Sequence, residues 1–163
     1  MVGPSRVDNE IKILLDQSEQ WYHRLILIIP PKGETVESQL TAGWTDTFSI
    51  PLINVGIELS EKLLDVAEKQ RSMKVQQLMT DIIQSRKASQ VMLRRIEVLF
   101  DRSLRLDPLA LLQMLSRNTT LLVVWPGDVS DDHLLYATPD HREYKKYPAV
   151  GLQILSIVKK EDI

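Results

Sequence analysis

Residues Leu25–Leu40 read LILIIPPKGETVESQL, and the interpretation of the whole chain turns on them. The run Leu25 to Ile29 has the composition of a strand buried on both faces of a sheet. Pro30 and Pro31 stop that strand, Gly33 turns the chain, and Val36 to Gly43 has the make-up of a short helix with Gly43 as its stop. Strand, glycine turn and helix in this order outline a phosphate-binding loop, G-x-x-x-x-G-K-[ST]. In such a loop backbone amides wrap a polyphosphate, a lysine meets its outer oxygens and a hydroxyl reaches the magnesium ion. Here Gly33-Glu34-Thr35 carries a carboxylate where that lysine belongs.

The rest of the chain supplies further strands for such a sheet. "IPLINVGI" (50–57) and "QVMLRRIEVLF" (90–100), the latter interrupted by Arg94 and Arg95, read as strands, as do "TTLLVVW" (119–125) and "LQILSIV" (152–158). "HLLYAT" (133–138) reads as a shorter one. Helices alternate with them. Ser60 stands as an N-cap before "EKLLDVAEKQ", and Val75, Leu78, Met79, Ile82 and Ile83 share one helical face. Asp107-Pro108 is a strong helix start, with Asp as N-cap and Pro at the first helical position. Ahead of the first strand, Val7, Ile11, Leu14, Leu15, Ser18, Trp21 and Tyr22 line one face of an N-terminal helix, 1–22, before a core spanning 23–163. Alternation of this kind predicts an α/β domain, its parallel sheet covered by helices on both faces. Ligands of such sheets bind beyond the carboxyl ends of the strands. Pro30–Thr35, Arg94–Glu97 and Pro126–Gly127 are therefore expected to converge.

Composition narrows the function. A chain of 163 residues suits a single domain and buries roughly 70% of its unfolded surface. Its 20 basic and 22 acidic residues leave a net charge of −2, so no global field steers it to nucleic acid or membrane, and direct DNA contact is not expected. The absence of cysteine excludes disulfides, thiol nucleophiles and thiolate metal sites and fits a reducing cytoplasm. The N-terminus has no signal-peptide pattern, and the apolar runs fall far short of the roughly 20 residues that span a bilayer. His23, His133 and His141 have no metal-ligand spacing. Asp131-Asp132-His133 reads as a polar loop, and "HREYKKY" (141–147) as an edge or interface segment.

Four segments carry a resemblance to a known family. "YHRLILII" (22–29), "IPLINVGIELSEKLL" (50–64), "IEVLFDRSLRLDPLALLQMLSRNTTLLVVWPG" (96–127) and "YATPDHREYKKYP" (136–148) together resemble the BrxF family, small P-loop proteins of type 3 BREX phage-defence systems. The resemblance runs from Trp21 to the C-terminus. It implies a three-layer αβα, AAA-like P-loop fold with about five strands. It also implies work beside a large ATPase, a methyltransferase and an alkaline-phosphatase-like protein, with homo-oligomers a further option. ATP and magnesium are the cofactors of the family.

This chain departs from the family at the chemical positions. The family reads Gly-Lys-Thr where this chain reads Gly33-Glu34-Thr35, and the loop is about two residues short, with Pro30 in place of its first glycine. Arg94 replaces the Walker B aspartate, while Glu97 matches the family's glutamate. The sensor motif Trp-Asn-Gly reads Trp125-Pro126-Gly127. The prolines remove two amide donors. Glu34 replaces an attractive charge by a repulsive one, and each unit pair is worth roughly 4 kcal/mol at about 4 Å and an effective dielectric near 20, before screening. Affinity for polyphosphate then falls about a thousandfold or more. A guanidinium has no lone pair for magnesium. Neither a bound cofactor nor a catalytic residue is therefore expected, and Glu97, without a metal site, becomes a polar or partner-contact residue. An acid at the lysine position and a base at the aspartate position, on neighbouring strand ends, suggest a Glu34–Arg94 salt bridge across the site. Lys32 reads as a solvated turn residue, and Asn118 as a C-cap. Arg117 and Asn118 are the residues to watch for a contribution in trans. The expected product is a non-catalytic adaptor, with an oligomeric ATPase as the alternative.

Overall fold

Five parallel strands form the centre of the molecule. The computed structural model describes residues 6–157, apart from the side chains of residues 34–36. In chain order the described elements are α1 (Arg6–Ser18), β1 (Leu25–Ile29), α2 (Glu34–Phe48), β2 (Leu52–Asn54), α3 (Val55–Leu63), α4 (Arg71–Gln84), β3 (Gln90–Arg94), α5 (Pro108–Leu115), β4 (Thr120–Val124), β5 (Asp128–Ser130), β6 (His133–Tyr136), β7 (Lys145–Pro148) and β8 (Gln153–Ser156). The main sheet has the order β2-β3-β4-β1-β8, with every pairing parallel. Strand alternation sorts its side chains into two cores. Leu25, Leu27, Val91, Leu93, Leu121 and Val123 pack with residues of α3, α4 and α5 on one face. Ile26, Ile28, Met92 and Leu122 pack on the other with Ile11 and Leu15 of α1 and Trp44 of α2. Every residue of β1 and β4 is buried, which is why both read as unbroken apolar runs.

Several element boundaries differ from expectation. Helix α2 runs through Gly43 to Phe48 and ends where Ser49 adopts a left-handed conformation (φ 55°). A mid-helix glycine costs about 1 kcal/mol relative to alanine. Burial of its neighbour Trp44, whose indole Nε1 donates to Asp8 Oδ1 at 3.0 Å, outweighs that cost. Strand β2 has only three residues, because the Asn54 side chain accepts the Ile57 amide at 3.0 Å and starts α3 there. Ser60 thus lies inside α3 instead of capping a helix. Close approach of this turn to the chain after β3 suits Gly56, whose added Cβ would lie 3.3 Å from the Arg95 carbonyl. The run after β3 is not strand either: Arg95 turns left-handed (φ 56°), and Ile96–Phe100 forms a 3-10 turn burying Ile96, Leu99 and Phe100. Helix α1 stops at Ser18, whose hydroxyl donates to the Leu15 carbonyl and pairs with Thr120 Oγ1 at 2.9 Å. Trp21 and Tyr22 lie beyond that helix. The expected start of α5 holds, with Asp107 Oδ1 accepting the Ala110 amide.

A second sheet follows β4. Strands β5, β6 and β7 form an antiparallel meander in that order, so the short strand expected at 133–138 is the centre of a sheet and "HREYKKY" feeds its outer strand.

Candidate functional site at the carboxyl edge of the sheet

The turns after β1, β3 and β4 converge as the topology requires. They enclose a cavity of about 280 Å³ lined by residues 30–33, Glu37, Arg95, Glu97 and residues 124–127. That is just under the roughly 300–1,000 Å³ of most ligand pockets.

On the β1 side, Pro31 is buried while Lys32 and Gly33 are exposed. Gly33 leads into α2 at φ 116°, a conformation that suits glycine alone, and its carbonyl accepts the Glu37 amide at 3.1 Å. The side chains of Glu34 and Thr35, and with them the expected Glu34–Arg94 bridge, lie outside the described residues.

On the β3 side, strand alternation decides what Arg94 meets. Val91 and Leu93 face α3 and α4, so Met92 and Arg94 face α1 and α2. Arg94 Nη2 donates to Glu37 Oε2 at 2.8 Å and to Ser38 Oγ at 3.4 Å. The two charged side chains are only 16% and 14% exposed. Arg94 Nε is buried and has no hydrogen-bond partner. Removing one member of a buried pair costs about 3–5 kcal/mol, and the remaining exposure brings this one below that range. Arg95 turns the other way and pairs with Glu97 at 3.7 Å on the cavity wall, both about two-fifths exposed. The expectation that the acid and the base leave neighbouring strands needs correction: β4 lies between β1 and β3. Arg94 reaches over to the second turn of α2 because its side of the sheet carries that helix.

On the β4 side, Trp125 is buried and its indole Nε1 donates to the Leu135 carbonyl at 2.8 Å. Gly127 passes the same carbonyl so closely that an added Cβ would sit 1.9 Å from it. Phe100 stacks on Tyr136 (centroids 3.7 Å apart) and meets Trp125 edge-on at 5.5 Å, with Tyr147 behind at 6.3 Å. Burial raises the Tyr136 phenol, with the charges of Glu143 and Glu97 adding to it. Tyr147 is raised much further by burial, then by the charge of Asp107, to whose Oδ1 its hydroxyl donates at 3.0 Å. This aromatic cluster, of which Trp125 alone lines the cavity, was not foreseen. The chain has 2 Phe, 3 Trp and 4 Tyr, nine in all, and four of them gather here from four separate segments, which only the folded topology unites.

Other expected positions fall elsewhere. Pro126 lines the cavity mouth, but Arg117 and Asn118 precede β4 at the opposite, amino edge of the sheet. There the Arg117 guanidinium lies 4.5 Å from the centroid of the Tyr22 ring, and Ser116, not Asn118, caps α5. Neither residue reaches the cavity of its own chain. His133 Nδ1 bonds the Asp131 carbonyl and His141 Nδ1 accepts the Glu143 amide, so both histidines serve turns. Among the described residues no group of three or more His, Cys, Asp or Glu could hold a metal ion. Nor is any described helix long and apolar enough to cross a membrane.

Comparison of the chain with protein-family models, curated proteins and solved structures finds no match. The site's chemistry therefore stands on its own geometry.

Proposed function

We propose that this chain is a P-loop-like domain without nucleotide chemistry, serving as an adaptor in a BREX-type anti-phage assembly and binding other components of it, the large ATPase first. The observation that carries the non-catalytic reading is the state of the β3 exit. A P-loop site holds magnesium between the hydroxyl after the loop and an acid on the Walker B strand. Here the residue ending β3 is a cation already paired with Glu37, and the next is a cation facing Glu97. The β1 exit offers two prolines in place of amide donors. The reading is supported by the parallel five-strand sheet and by the β1–glycine turn–α2 unit at its carboxyl edge. The sequence resemblance adds the BREX context.

Calorimetric titration of the whole chain with ATP and magnesium chloride tests the first part: no saturable heat is expected up to millimolar nucleotide. Binding below a millimolar would turn the protein into the alternative, a nucleotide-binding AAA-like ATPase acting as an oligomer or with its partner. Affinity capture from a strain carrying the complete gene neighbourhood tests the second part. Co-elution of the other system components supports the adaptor role, and recovery of the chain alone removes it. Retention on duplex DNA, falling steeply with salt, would instead point to nucleic acid.

A further inference from the structure

We infer that the Arg94–Glu37 pair is a latch: a tethered cation that holds the start of α2 directly against the end of β3. The geometry carries this in steps. Arg94 is the last residue of β3, on a strand that β4 separates from β1. Glu37 and Ser38 lie in the second turn of α2, directly after the loop that leaves β1. The contact joins two parts of the carboxyl edge that no strand pairing connects. Both side chains are largely withdrawn from water, so the bond is neither screened like a surface pair nor readily exchanged for solvent. In a magnesium-dependent P-loop site the metal ties the start of this helix to the Walker B strand. Here a guanidinium occupies the strand's position and bonds the helix directly, with no ligand required. Arg94 Nε, buried and unpartnered, suits a contact selected for its place more than for its stability. The comparison with the metal rests on the proposed P-loop reading; the latch itself rests on the contact alone.

The test is amide hydrogen exchange on the full chain, comparing α2 (34–48) with α4 (71–84) as an internal reference. Arg94→Gln and Glu37→Gln are each expected to speed exchange in the first turns of α2 on the order of tenfold while leaving α4 unchanged. The double variant should be no worse than either single one, since both remove the same bond. The exchanged pair, Arg94→Glu with Glu37→Arg, should recover part of the protection. Unchanged exchange in the single variants, additive effects in the double, or equal acceleration in both helices would overturn the latch. Should a single variant fail to fold, the exchanged pair decides: folded with a protected α2 supports the latch, while an unprotected or unfolded chain overturns it. Nucleotide binding by the unaltered chain would end the adaptor reading and leave the latch standing. Unchanged exchange would do the reverse.

Discussion

The two sheets of this protein are held by different physics. The parallel sheet is held by area: β1 and β4 are buried along their whole length, and the two faces pack separate apolar cores. The antiparallel meander has strands of three or four residues, exposed or half-buried except for Leu134, its one fully buried side chain. It is held by points: the Trp125 indole on the Leu135 carbonyl, the close passage of Gly127, the Phe100–Tyr136 stack and the Tyr147–Asp107 bond. Area-based stability is diffuse and tolerant, whereas point-based attachment fails one contact at a time. The cavity lies where the two regimes meet.

Four changes would break or sharpen this contrast. Leu27→Ala, at the centre of the parallel sheet, should cost about 3–5 kcal/mol, lowering the urea midpoint with the slope unchanged. Because the parallel sheet carries the meander, both should unfold together by far-UV and near-UV circular dichroism. Gly127→Ala comes next, at about 3 kcal/mol, because its methyl would collide with the Leu135 backbone. Its damage should be confined to the meander, seen as faster amide exchange at residues 128–148 with β1 and β4 still protected. If it lowers the protection of β1 equally, the meander belongs to the same cooperative unit and the contrast fails. Trp125→Phe keeps most of the packing but strips the Leu135 carbonyl of its indole donor, for an expected 1–2 kcal/mol in chemical denaturation.

The smallest effect is a matter of pH. Burial raises the Tyr147 phenol above its unfolded value near 10, so the folded state favours the neutral form. Its contribution is complete below that pH and is lost as pH rises toward the folded value. The meander should therefore loosen above about pH 10, before the parallel sheet. Tyr147→Phe should shrink the pH step to the smaller part due to Tyr136, at a cost of about 1 kcal/mol at neutrality from the lost bond to Asp107. An alkaline transition identical in the variant would show that another group titrates.

Legibility in the sequence follows the same division. Strands β1 and β4 could be read because double burial demands unbroken apolar runs, and α5 because Asp107-Pro108 is a local start signal. The boundaries that went astray are those where a tertiary gain overrode a local cue. Gly43 did not stop α2 because Trp44 beyond it is buried, and the apolar run 50–57 hid the Asn54 cap. At the site, the convergence of the three turns was visible from residue order. The partner of Arg94 was not, since Glu37 lies 57 residues away and comes within reach only when α2 packs over the strand's far face.

Residue order alone thus settled that buried parallel strands run at β1 and β4 and that the turns after β1, β3 and β4 meet at one edge of the sheet. Those outcomes follow from burial and from the alternation of strand and helix, which are properties of single residues and their near neighbours. The fold alone decided that β4 stands between β1 and β3, that Arg94 bonds α2, and that three scattered aromatics gather around Trp125 beside the cavity. Each of these depends on distances between remote segments, and such distances exist only once the layers have packed.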